Sequence, residues 1–487
     1  MNRFTIYVAF SAFALLLAGC GSSPSRPALR AGAAIADVTP QEWPIPVIGN
    51  FDYRPATQAH DPLSARALVL DDGSKTIAMV VVDSCYIPRE VLDDAKQRAS
   101  KKTGIPAENM LVSATHTHSA PPALPELARH WPLEPEVEAH DEHYTEFLRE
   151  RIAEAIAAAH AKLQPARVGR VSASVPDELH NRRWYMKEGT IPPDPFGGTT
   201  DKVQMNPPRQ SPNLVRPAGA TDPEVSMITV ESADGKPLAL LAAYSLHYVG
   251  GVGPGDVSAD YFAEFARRVG EKLGAGDGFV AIMANGTSGD VNNIDFQGES
   301  AKVGPYEKMG QVAENVATAA AGAWAQSSWL EHPTLDMTQH EITLQRRKPT
   351  PEGYEQAKKW FAAEDESKLP KRAKPYAGRA IKLYEGPDTV NILLQAIRIG
   401  DFGIATIPFE TFTETGLEIK EKSPFKRSFT IELANGGEGY LPTPEQHELG
   451  GYETWLGTNK VEKEASRKIT AELLEMLQSL AAAQPKS

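Results

Sequence analysis

The sequence is poor in cysteine. Only two cysteines, Cys20 and Cys85, occur in 487 residues. Cys20 lies in a segment that we expect to be processed and lipidated, so Cys85 is left without an internal disulfide partner. Because Cys85 lies in the apolar stretch IAMVVVDSCYI, we interpret it as a small core residue. Stability must therefore come from a large hydrophobic core, and the chain is long enough for one large domain or two smaller ones.

The sequence also lacks an excess of positive charge. It contains 50 Lys and Arg against 63 Asp and Glu, which gives a formal net charge of −13. Phosphate backbones bind basic surfaces, so this balance argues against nucleic acid as a partner. We find no internal repeat and no coiled-coil heptad pattern. The composition by itself indicates no particular substrate.

Only the N terminus has the pattern of an export signal. An apolar segment at residues 4–18 follows Arg3, and LAGC and the polar run GSSPS come next. This is the layout of a secretory signal, and its end resembles a bacterial lipobox whose cysteine, Cys20, is lipidated. A membrane-spanning anchor is the alternative, but the segment is short for one. We therefore expect a lipoprotein signal peptide at residues 1–19 and a lipidated flexible linker at residues 20–30.

These features predict an exported lipoprotein that is anchored in a membrane by a lipid at its N terminus. In a Gram-negative source, the absence of Asp directly after Cys20 favours the outer membrane, facing the periplasm or the cell surface.

Apolar runs and amphipathic stretches alternate along the rest of the chain. Runs such as TIAMVVVD, LALLAAYSLH and GFVAIMANG are typical of strands covered on both faces. The clearest helical stretches are Arg89–Thr103, Glu142–Leu163, Ala259–Leu273, Tyr306–Gln326 and Val461–Ala483. This alternation predicts an α/β architecture.

Two segments break the alternation. Residues 186–223 are rich in Pro and Gly and have no periodicity. A long loop of this kind inside a domain is a lid, a binding loop or a linker. We favour a flap or insertion near a site over a linker, because the elements on both sides look like parts of one sheet system. Residues 347–386 are polar and basic, and we predict a surface excursion around a short helix at residues 352–364.

Polar residues cluster directly after apolar strands, where open α/β sheets place their ligands. In LVSATHTHSAPP, His116 and His118 are one residue apart, so strand periodicity points both side chains the same way. Similar positions are held by His247 in AAYSLHYVGG, Glu410 in IATIPFETF, and Tyr440 and Tyr452 in LANGGEGYLPTPEQHELGGYETW.

Each of these residues also has an ordinary structural explanation, such as a hydrogen-bonded core histidine or an acidic residue in a first helical turn. Together, imidazoles, a carboxylate and a phenol form a plausible ligand set for zinc with an open position for water. Histidine with carboxylate also suits iron, manganese or nickel.

The order of the motifs resembles the neutral/alkaline non-lysosomal ceramidase family. THTHS is followed by LH after an apolar strand, then by NG-SGDVNN, PFET, GYLPTPE and GGYE. The start of the mature chain, AGAAIADVTP, also resembles the first strand of that family. The resemblance implies a single large catalytic domain at residues 31–487, built of layered mixed β-sheets flanked by helices.

The resemblance also implies site residues. The zinc ligands would be His116, His247, Glu410 and Tyr440. His118 would lie beside the metal and move a proton, and Tyr452 would bind the substrate oxygen or the metal-bound group. Arg182, in HNRRW, would reach into the pocket and bind substrate, and Asp290 would face the zinc from its GD turn.

The sequence departs from the family pattern at the expected nucleophile. Characterised ceramidases carry GDVSPN, whose Ser is assigned as the nucleophile, whereas this chain reads GDVNNID with Asn292 at that position. An amide is not an activated nucleophile, and Ser288 precedes the turn and is out of place for the role. The expected attacker is therefore zinc-bound water, with Asn292 donating to the oxyanion or holding a substrate hydroxyl.

A second departure is length. Full ceramidases carry a further β-sandwich domain, and this chain ends one helix after GGYETW. We therefore expect the catalytic domain alone. This departure and the replacement of the family Ser by Asn292 argue against ceramide itself as the substrate. Short ceramidase-like lipoproteins with NRRW, RPAG-TDPE and GD-N-ID look closer, and the sequence does not assign their substrate.

These expectations combine into a zinc-dependent hydrolase of an amide or ester bond in a small-molecule, lipid or glycan substrate. An N-acyl or sphingolipid-like amide is one candidate. One alternative is a zinc-assisted carbohydrate-active enzyme, with Trp131, Trp184 and Trp455 as sugar platforms. Another is a non-catalytic binding lipoprotein, although such a binder has no need of a full ligand set.

Overall fold

The computed structural model describes residues 29–50, 52–128, 133–299 and 302–483. The predicted signal peptide, Cys20, most of the predicted linker, and Trp131 lie outside these ranges. The first strand begins at Arg30, next to the predicted start of the domain. In the described part of the chain, no helix is both long enough and apolar enough to cross a membrane.

Helices and strands alternate as the sequence predicts. The α-helices of the described ranges are α1 (Arg89–Thr103), α2 (Pro135–Ala161), α3 (Asp260–Leu273), α4 (Glu307–Trp324), α5 (Pro351–Phe361), α6 (Ala373–Glu385), α7 (Thr413–Lys422), α8 (Pro444–His447) and α9 (Ala465–Ala482). The short 3-10 helices are Ala107–Asn109, Pro125–Leu127, Pro176–Glu178, Glu366–Lys368 and Tyr452–Thr454.

The described strands differ widely in length. In chain order they are β1 (Arg30–Asp37), β2 (Ile45–Pro46), β3 (Pro55–Ala56), β4 (Gln58–Ala59), β5 (Ser64–Asp71), β6 (Thr76–Val82), β7 (Met110–Ala114), β8 (Gln164–Ser174), β9 (His180–Asn181), β10 (Arg183–Met186), β11 (Val203–Met205), β12 (Leu214–Pro217), β13 (Glu224–Ser232), β14 (Pro237–Tyr244), β15 (Asp256–Val257), β16 (Val280–Asn285), β17 (Val291–Asn292), β18 (Ser328–Trp329), β19 (Leu335–Gln345), β20 (Thr389–Ile399), β21 (Phe402–Ile407), β22 (Glu410–Thr411), β23 (Arg427–Glu432) and β24 (Tyr440–Leu441).

Two mixed sheets form the centre of the fold. The larger has the order β16-β14-β13-β8-β1-β5-β6-β7, with β18 paired to β8, and the smaller has the order β19-β20-β21-β23. Parallel pairs, such as β6 with β7 in the larger sheet and β21 with β23 in the smaller, lie beside antiparallel ones, such as β1 with β5 and β19 with β20. Both sheets are therefore mixed, in agreement with the predicted α/β class.

The layers follow from the alternation of buried side chains along each strand. In β6, residues 77, 79 and 81 pack towards the smaller sheet, whereas residues 78, 80 and 82 pack towards α1 and α2. The strands at the other end of the larger sheet pack on α3 and α4, and α9 covers the outer face of the smaller sheet. The order of layers is helices, larger sheet, smaller sheet, helix.

The structure corrects the predictions for three segments. Helix α2 begins at Pro135 rather than Glu142. The start was placed too late because most residues of its first two turns are polar. The predicted excursion at 347–386 contains a second helix, α6, whose narrow buried face includes Tyr376. The segment 186–223 contains β11 and β12, which pair with β10 but are too short to show periodicity.

Candidate metal centre

His116 lies in the turn after β7 rather than on the strand itself. Its φ is 72°, in the left-handed region, and its backbone N–H donates to Ser84 O. The turn, not strand periodicity, therefore brings the two histidines together, with their Nε2 atoms 3.1 Å apart. Nδ1 of His116 lies 2.7 Å from Cys85 O. A carbonyl only accepts, so Nδ1 carries a hydrogen, and Nε2 is the atom that can offer a lone pair to a metal when the ring is neutral.

His247 is held in the same way. It follows β14, and its Nδ1 lies 3.2 Å from Ser288 O and 3.3 Å from Ser288 Oγ. A hydrogen on Nδ1 again leaves Nε2 free as a possible ligand atom. The two Nε2 atoms of His116 and His247 lie 3.0 Å apart, and both side chains are buried.

Glu410 supplies the carboxylate. It lies in β22, which pairs in parallel with β24 and sets Glu410 beside Tyr440. Glu410 Oε2 lies 3.2 Å from His116 Nε2 and 3.9 Å from His247 Nε2. Tyr440 hydrogen-bonds to the same carboxylate. Tyr440 thus reaches the site through Glu410.

The spacing of these three atoms fits a metal ion. They lie within 4.8 Å of one another. Zinc bonds of about 2.0–2.1 Å in a tetrahedron imply ligand separations of about 3.4 Å, and the observed separations of 3.0, 3.2 and 3.9 Å bracket that value. The donor set of two imidazoles and one carboxylate is also typical of catalytic zinc.

The charges at the centre also fit a metal ion. Burial lowers the pKa of His116, but Glu410 and Cys85 outweigh burial and raise the pKa well above its ordinary value. Burial and the positive charge on His116 lower the pKa of His247 and His118 well below the ordinary value. Burial raises the pKa of Glu410, but His116 and Tyr440 bring it below its usual value. The positive charge that this carboxylate attracts is the charge that a metal cation would supply.

A second group of possible ligand atoms overlaps the first. Cys85, His116 and His118 also lie close together, and Cys85 Sγ is 3.8 Å from His116 Nδ1. The thiol is therefore near Nδ1 of the ring, whereas the Glu410 carboxylate is near Nε2. Cys85 is buried, as its apolar surroundings predict.

His118 and Tyr248 form one wall of the site. Their rings stack at 3.7 Å with an interplanar angle of 16°. Tyr248 follows directly after His247, and the sequence analysis gave it no role. An aromatic residue beside a histidine is a common core pattern, so no sequence signal marked it.

Arg182 packs against Tyr440 beside the site. Its guanidinium carbon lies 5.3 Å from the centre of the Tyr440 ring, and its Nε donates to Glu453 Oε1 at 2.9 Å. Its Nη2 is buried and has no hydrogen-bond partner among the described residues. Tyr452 packs on Tyr440, with 5.6 Å between ring centres. Glu453, adjacent to Tyr452, was missed because nothing local in GGYETW indicates that it pairs with arginine.

Asp290 and Asn292 hold the glycine-rich turn in place. Asp290 accepts hydrogen bonds from Asn181 Nδ2 at 2.8 Å and from Thr413 N and Oγ1 at 2.9 Å, and burial raises its pKa to about 6. Asn292 Nδ2 donates to Asn206 Oδ1 at 2.8 Å, and its Oδ1 accepts from Ile294 N at 2.9 Å. The Asp290 carboxylate therefore links the turn to α7, and the Asn292 amide links it to Asn206 in the segment 186–223.

Comparison with known proteins gives a consistent family. The family described as neutral/alkaline non-lysosomal ceramidase, N-terminal, matches residues 29–302, more than half of the chain. That range includes His116, Arg182 and His247, whereas Glu410 and Tyr440 lie beyond it.

Solved structures match over nearly the whole chain. The crystal structure of neutral ceramidase from Pseudomonas aeruginosa superposes with a TM-score of 0.70 at 17% identity and covers 95% of this chain and 76% of that one. A structure described as ceramidase complexed with C2 gives 0.70 at 16% identity, with the same coverage. These likenesses show the fold and confirm the resemblance seen in the motif order. The chain belongs to the neutral/alkaline non-lysosomal ceramidase family.

Proposed function

We propose that this ceramidase-family hydrolase is zinc-dependent, with His116, His247 and Glu410 as ligands and Tyr440 as the fourth protein group at the centre. One observation carries the proposal: two imidazole Nε2 atoms and one carboxylate oxygen converge while both histidines donate Nδ1–H to carbonyls. Carbonyl anchors of this kind fix the tautomer that a metal ligand needs.

The residues around the centre have separate tasks in this proposal. Bound zinc supplies Lewis-acid activation of a water molecule and of the scissile carbonyl. His118, with Nε2 next to His116, takes the proton and passes it to the leaving group. Arg182 Nη2, buried and without a partner in the described part of the chain, donates to a substrate oxygen. The hydroxyl of Tyr452 stabilises the developing oxyanion.

The environment of Asn292 supports direct attack by water. Its amide nitrogen and oxygen are engaged by Asn206 and Ile294, so the residue that replaces the family serine binds protein groups. Water is then the simplest nucleophile, and Asn292 helps to hold the flap over the site.

The scissile bond in this proposal is an amide or an ester, and an N-acyl or sphingolipid-like amide is the first candidate. The packing of Trp184 and Trp455 gives little support to a carbohydrate-active enzyme. Trp184 is buried and donates to Asn181 O. Trp455 donates to Asp201 Oδ2 and packs between Tyr376 and Tyr452.

Metal content tests the proposal directly. Residues 21–487 would be purified with added zinc and measured by elemental analysis, beside His116→Ala, His247→Ala and Glu410→Gln. We expect about one zinc per chain, lost or strongly reduced in each variant. His143→Ala, which removes an exposed histidine paired with Glu42, is the matched control and should keep the metal. A folded wild-type protein that takes up no zinc would overturn the proposal.

Turnover then defines the bond. The zinc-loaded protein would be assayed on short-chain N-acyl sphingoid amides, simple esters and N-acylated sugars, with the His247→Ala variant as the blank. Hydrolysis that depends on His247 would support the proposed mechanism, and zinc binding without any hydrolysis would favour the binding-lipoprotein alternative.

We also propose an exported lipoprotein anchored through Cys20, on the basis of the N-terminal pattern alone. In a bacterial host, Cys20→Ala should move the protein from the membrane fraction to the soluble fraction and abolish labelling by radioactive fatty acid. Unchanged membrane retention would contradict this assignment.

A further inference from the structure

One buried carboxylate near the candidate metal centre has no part in the proposed reaction. Glu432 ends β23 and is 0% exposed. It accepts hydrogen bonds from Ser288 Oγ at 2.6 Å, Ser288 N at 3.2 Å and Thr411 N at 2.6 Å. Buried charges are costly unless such partners compensate them, so this carboxylate needs an explanation.

The donors to Glu432 belong to two segments that hold proposed ligands. Thr411 directly follows Glu410, and Ser288 supplies both oxygens that face His247 Nδ1. These segments also touch each other, because Gly289 N donates to Thr411 O. Glu432 therefore bridges the parts of the chain that position His247 and Glu410.

The direction of these hydrogen bonds also determines whether Ser288 Oγ offers a hydrogen or a lone pair to His247. The two backbone N–H groups can only donate, so Glu432 Oε2 must accept from both. When Glu432 is ionised, the Ser288 hydroxyl must direct its hydrogen to Oε1. Ser288 Oγ then offers only lone pairs to His247, and the hydrogen of His247 is kept on Nδ1.

Two influences act on the charge of Glu432. Burial raises the pKa of Glu432, and its value remains about 8 although the Ser288 hydroxyl, the positive charge on His116 and the N–H groups of Thr411 and Ser288 favour the ionised form. A metal cation bound at the centre would add positive charge and favour the ionised form of Glu432 further, which is the form that directs the chain of hydrogen bonds towards Nδ1–H.

We propose that Glu432, acting through Ser288, holds His247 in the tautomer that a metal ligand requires, and is a positioning residue of this centre. The inference rests on the proposed zinc site. Glu432 reaches the histidine only through the serine hydroxyl, so removing that hydroxyl should uncouple the two. A purely structural role for Glu432 predicts no such uncoupling.

Glu432→Gln reverses the chain of hydrogen bonds without changing its shape. The amide oxygen must occupy the Oε2 position, because two N–H donors meet there. The amide NH₂ then donates to Ser288 Oγ, and the hydroxyl hydrogen turns towards His247 Nδ1. We expect the zinc affinity, measured by competition with a chelating dye, to fall by about 10- to 100-fold, the usual effect of losing an outer-shell partner.

Ser288→Ala is the diagnostic partner. His247 Nδ1–H still has Ser288 O at 3.2 Å in that variant, so its zinc affinity should stay within about threefold of wild type. The double variant Glu432→Gln/Ser288→Ala should recover most of the affinity that Glu432→Gln loses. Glu178→Gln, which alters another buried carboxylate bound by Lys308 and Asn315, is the control for loss of a buried charge and should bind zinc normally.

The outcomes separate the two proposals. Absence of zinc in the wild-type protein would overturn the proposed function. Zinc in the wild type, with equal affinity in Glu432→Gln, would overturn the role of Glu432. A loss in Glu432→Gln that Ser288→Ala does not recover would overturn the action through the serine.

A second measurement needs no Glu432 variant to fold. The tautomer of His247 would be read by ¹⁵N NMR of metal-free, histidine-labelled protein at about pH 9, above the pKa of Glu432, with His247→Ala for assignment. A hydrogen on Nδ1 supports the inference, and a hydrogen on Nε2 overturns it.

Discussion

Replacing Glu453 by Gln removes a buried carboxylate that pairs with two buried arginines beside the candidate site. Its Oε1 accepts from Arg182 Nε at 2.9 Å, and its Oε2 accepts from Arg183 Nη1 at 2.6 Å. The side chains of all three residues are 5% exposed or less. Arg183 also donates to the carbonyls of Gln446 and Gly450.

The expected loss of stability follows from this burial. Removing one partner of a buried ion pair costs about 3–5 kcal/mol, because the remaining charge stays buried without compensation. Unfolding entropy of about 2.1 cal/mol/K per residue gives about 1 kcal/mol/K for 487 residues. Glu453→Gln should therefore lower Tm by about 3–5 °C.

Scanning calorimetry at a single scan rate measures this shift. The control is Glu448→Gln, which breaks an exposed ion pair with Lys463. The Glu448 side chain is 71% exposed and the Lys463 side chain is 57% exposed. Exposed pairs contribute about 0–1 kcal/mol, so the control should stay within about 1 °C of wild type. A Tm fall in Glu453→Gln no larger than in the control would refute the claim that this carboxylate compensates both arginines.

Three further changes test other parts of the structure. Asp260 is buried and accepts from the N–H groups of Val249 and Gly250, and burial raises its pKa to about 6 from 3.8. The folded state thus binds the proton more tightly, and about 3 kcal/mol of stability present below pH 3.8 is lost as pH rises through 6. Urea titrations should show Asp260→Asn gaining most of that amount, about 2.4 kcal/mol, relative to wild type between pH 4 and pH 7, and a pH-independent difference would contradict it. In Gly289→Ala, the new Cβ would lie 2.5 Å from Glu410 O and displace that residue, so zinc affinity should fall at least about tenfold. The control is Gly276→Ala, whose new Cβ meets open space, and this variant should bind zinc as wild type does. Asn292→Ser loses the bond to Asn206, so stability should fall by about 1–2 kcal/mol, and a gain in turnover on any amide substrate would argue against water as the nucleophile.

Local patterns predicted most of the helices and strands. The bounds of α1 agree with the structure because apolar residues recur at helical spacing and Gly104 ends the helix in the left-handed conformation. Helix α6 was missed because its buried face is narrow. The order of strands was beyond local reasoning, since β1 pairs with both β5 and β8, which lie far apart in the sequence.

The candidate ligands were predictable in identity but not in geometry. His116, His247 and Glu410 each follow an apolar run, and the order of motifs indicated the family. His116 and His247 are 131 residues apart, and no spacing rule gives the 3.0 Å between their nitrogen atoms. Glu432 was missed because a glutamate at the end of the strand RSFTIE has the sequence pattern of a solvent-facing residue. Its burial depends on donors from Ser288 and Thr411, which only the tertiary structure brings near.

Buried carboxylates hold together the chain segments that surround the centre, and apolar contacts alone would not fix the relative positions of these segments. Glu432 links the turn at Ser288 to Thr411, Asp290 links the same turn to Asn181 and Thr413, and Glu453 binds Arg182. Hydrophobic contacts tolerate small shifts, whereas a buried charge loses its compensation when a donor moves by about an ångström. Such charges therefore contribute little net stability while fixing the positions of His247 and Glu410. This is why we expect Glu432→Gln to change metal affinity far more than Glu178→Gln, although both remove a buried negative charge.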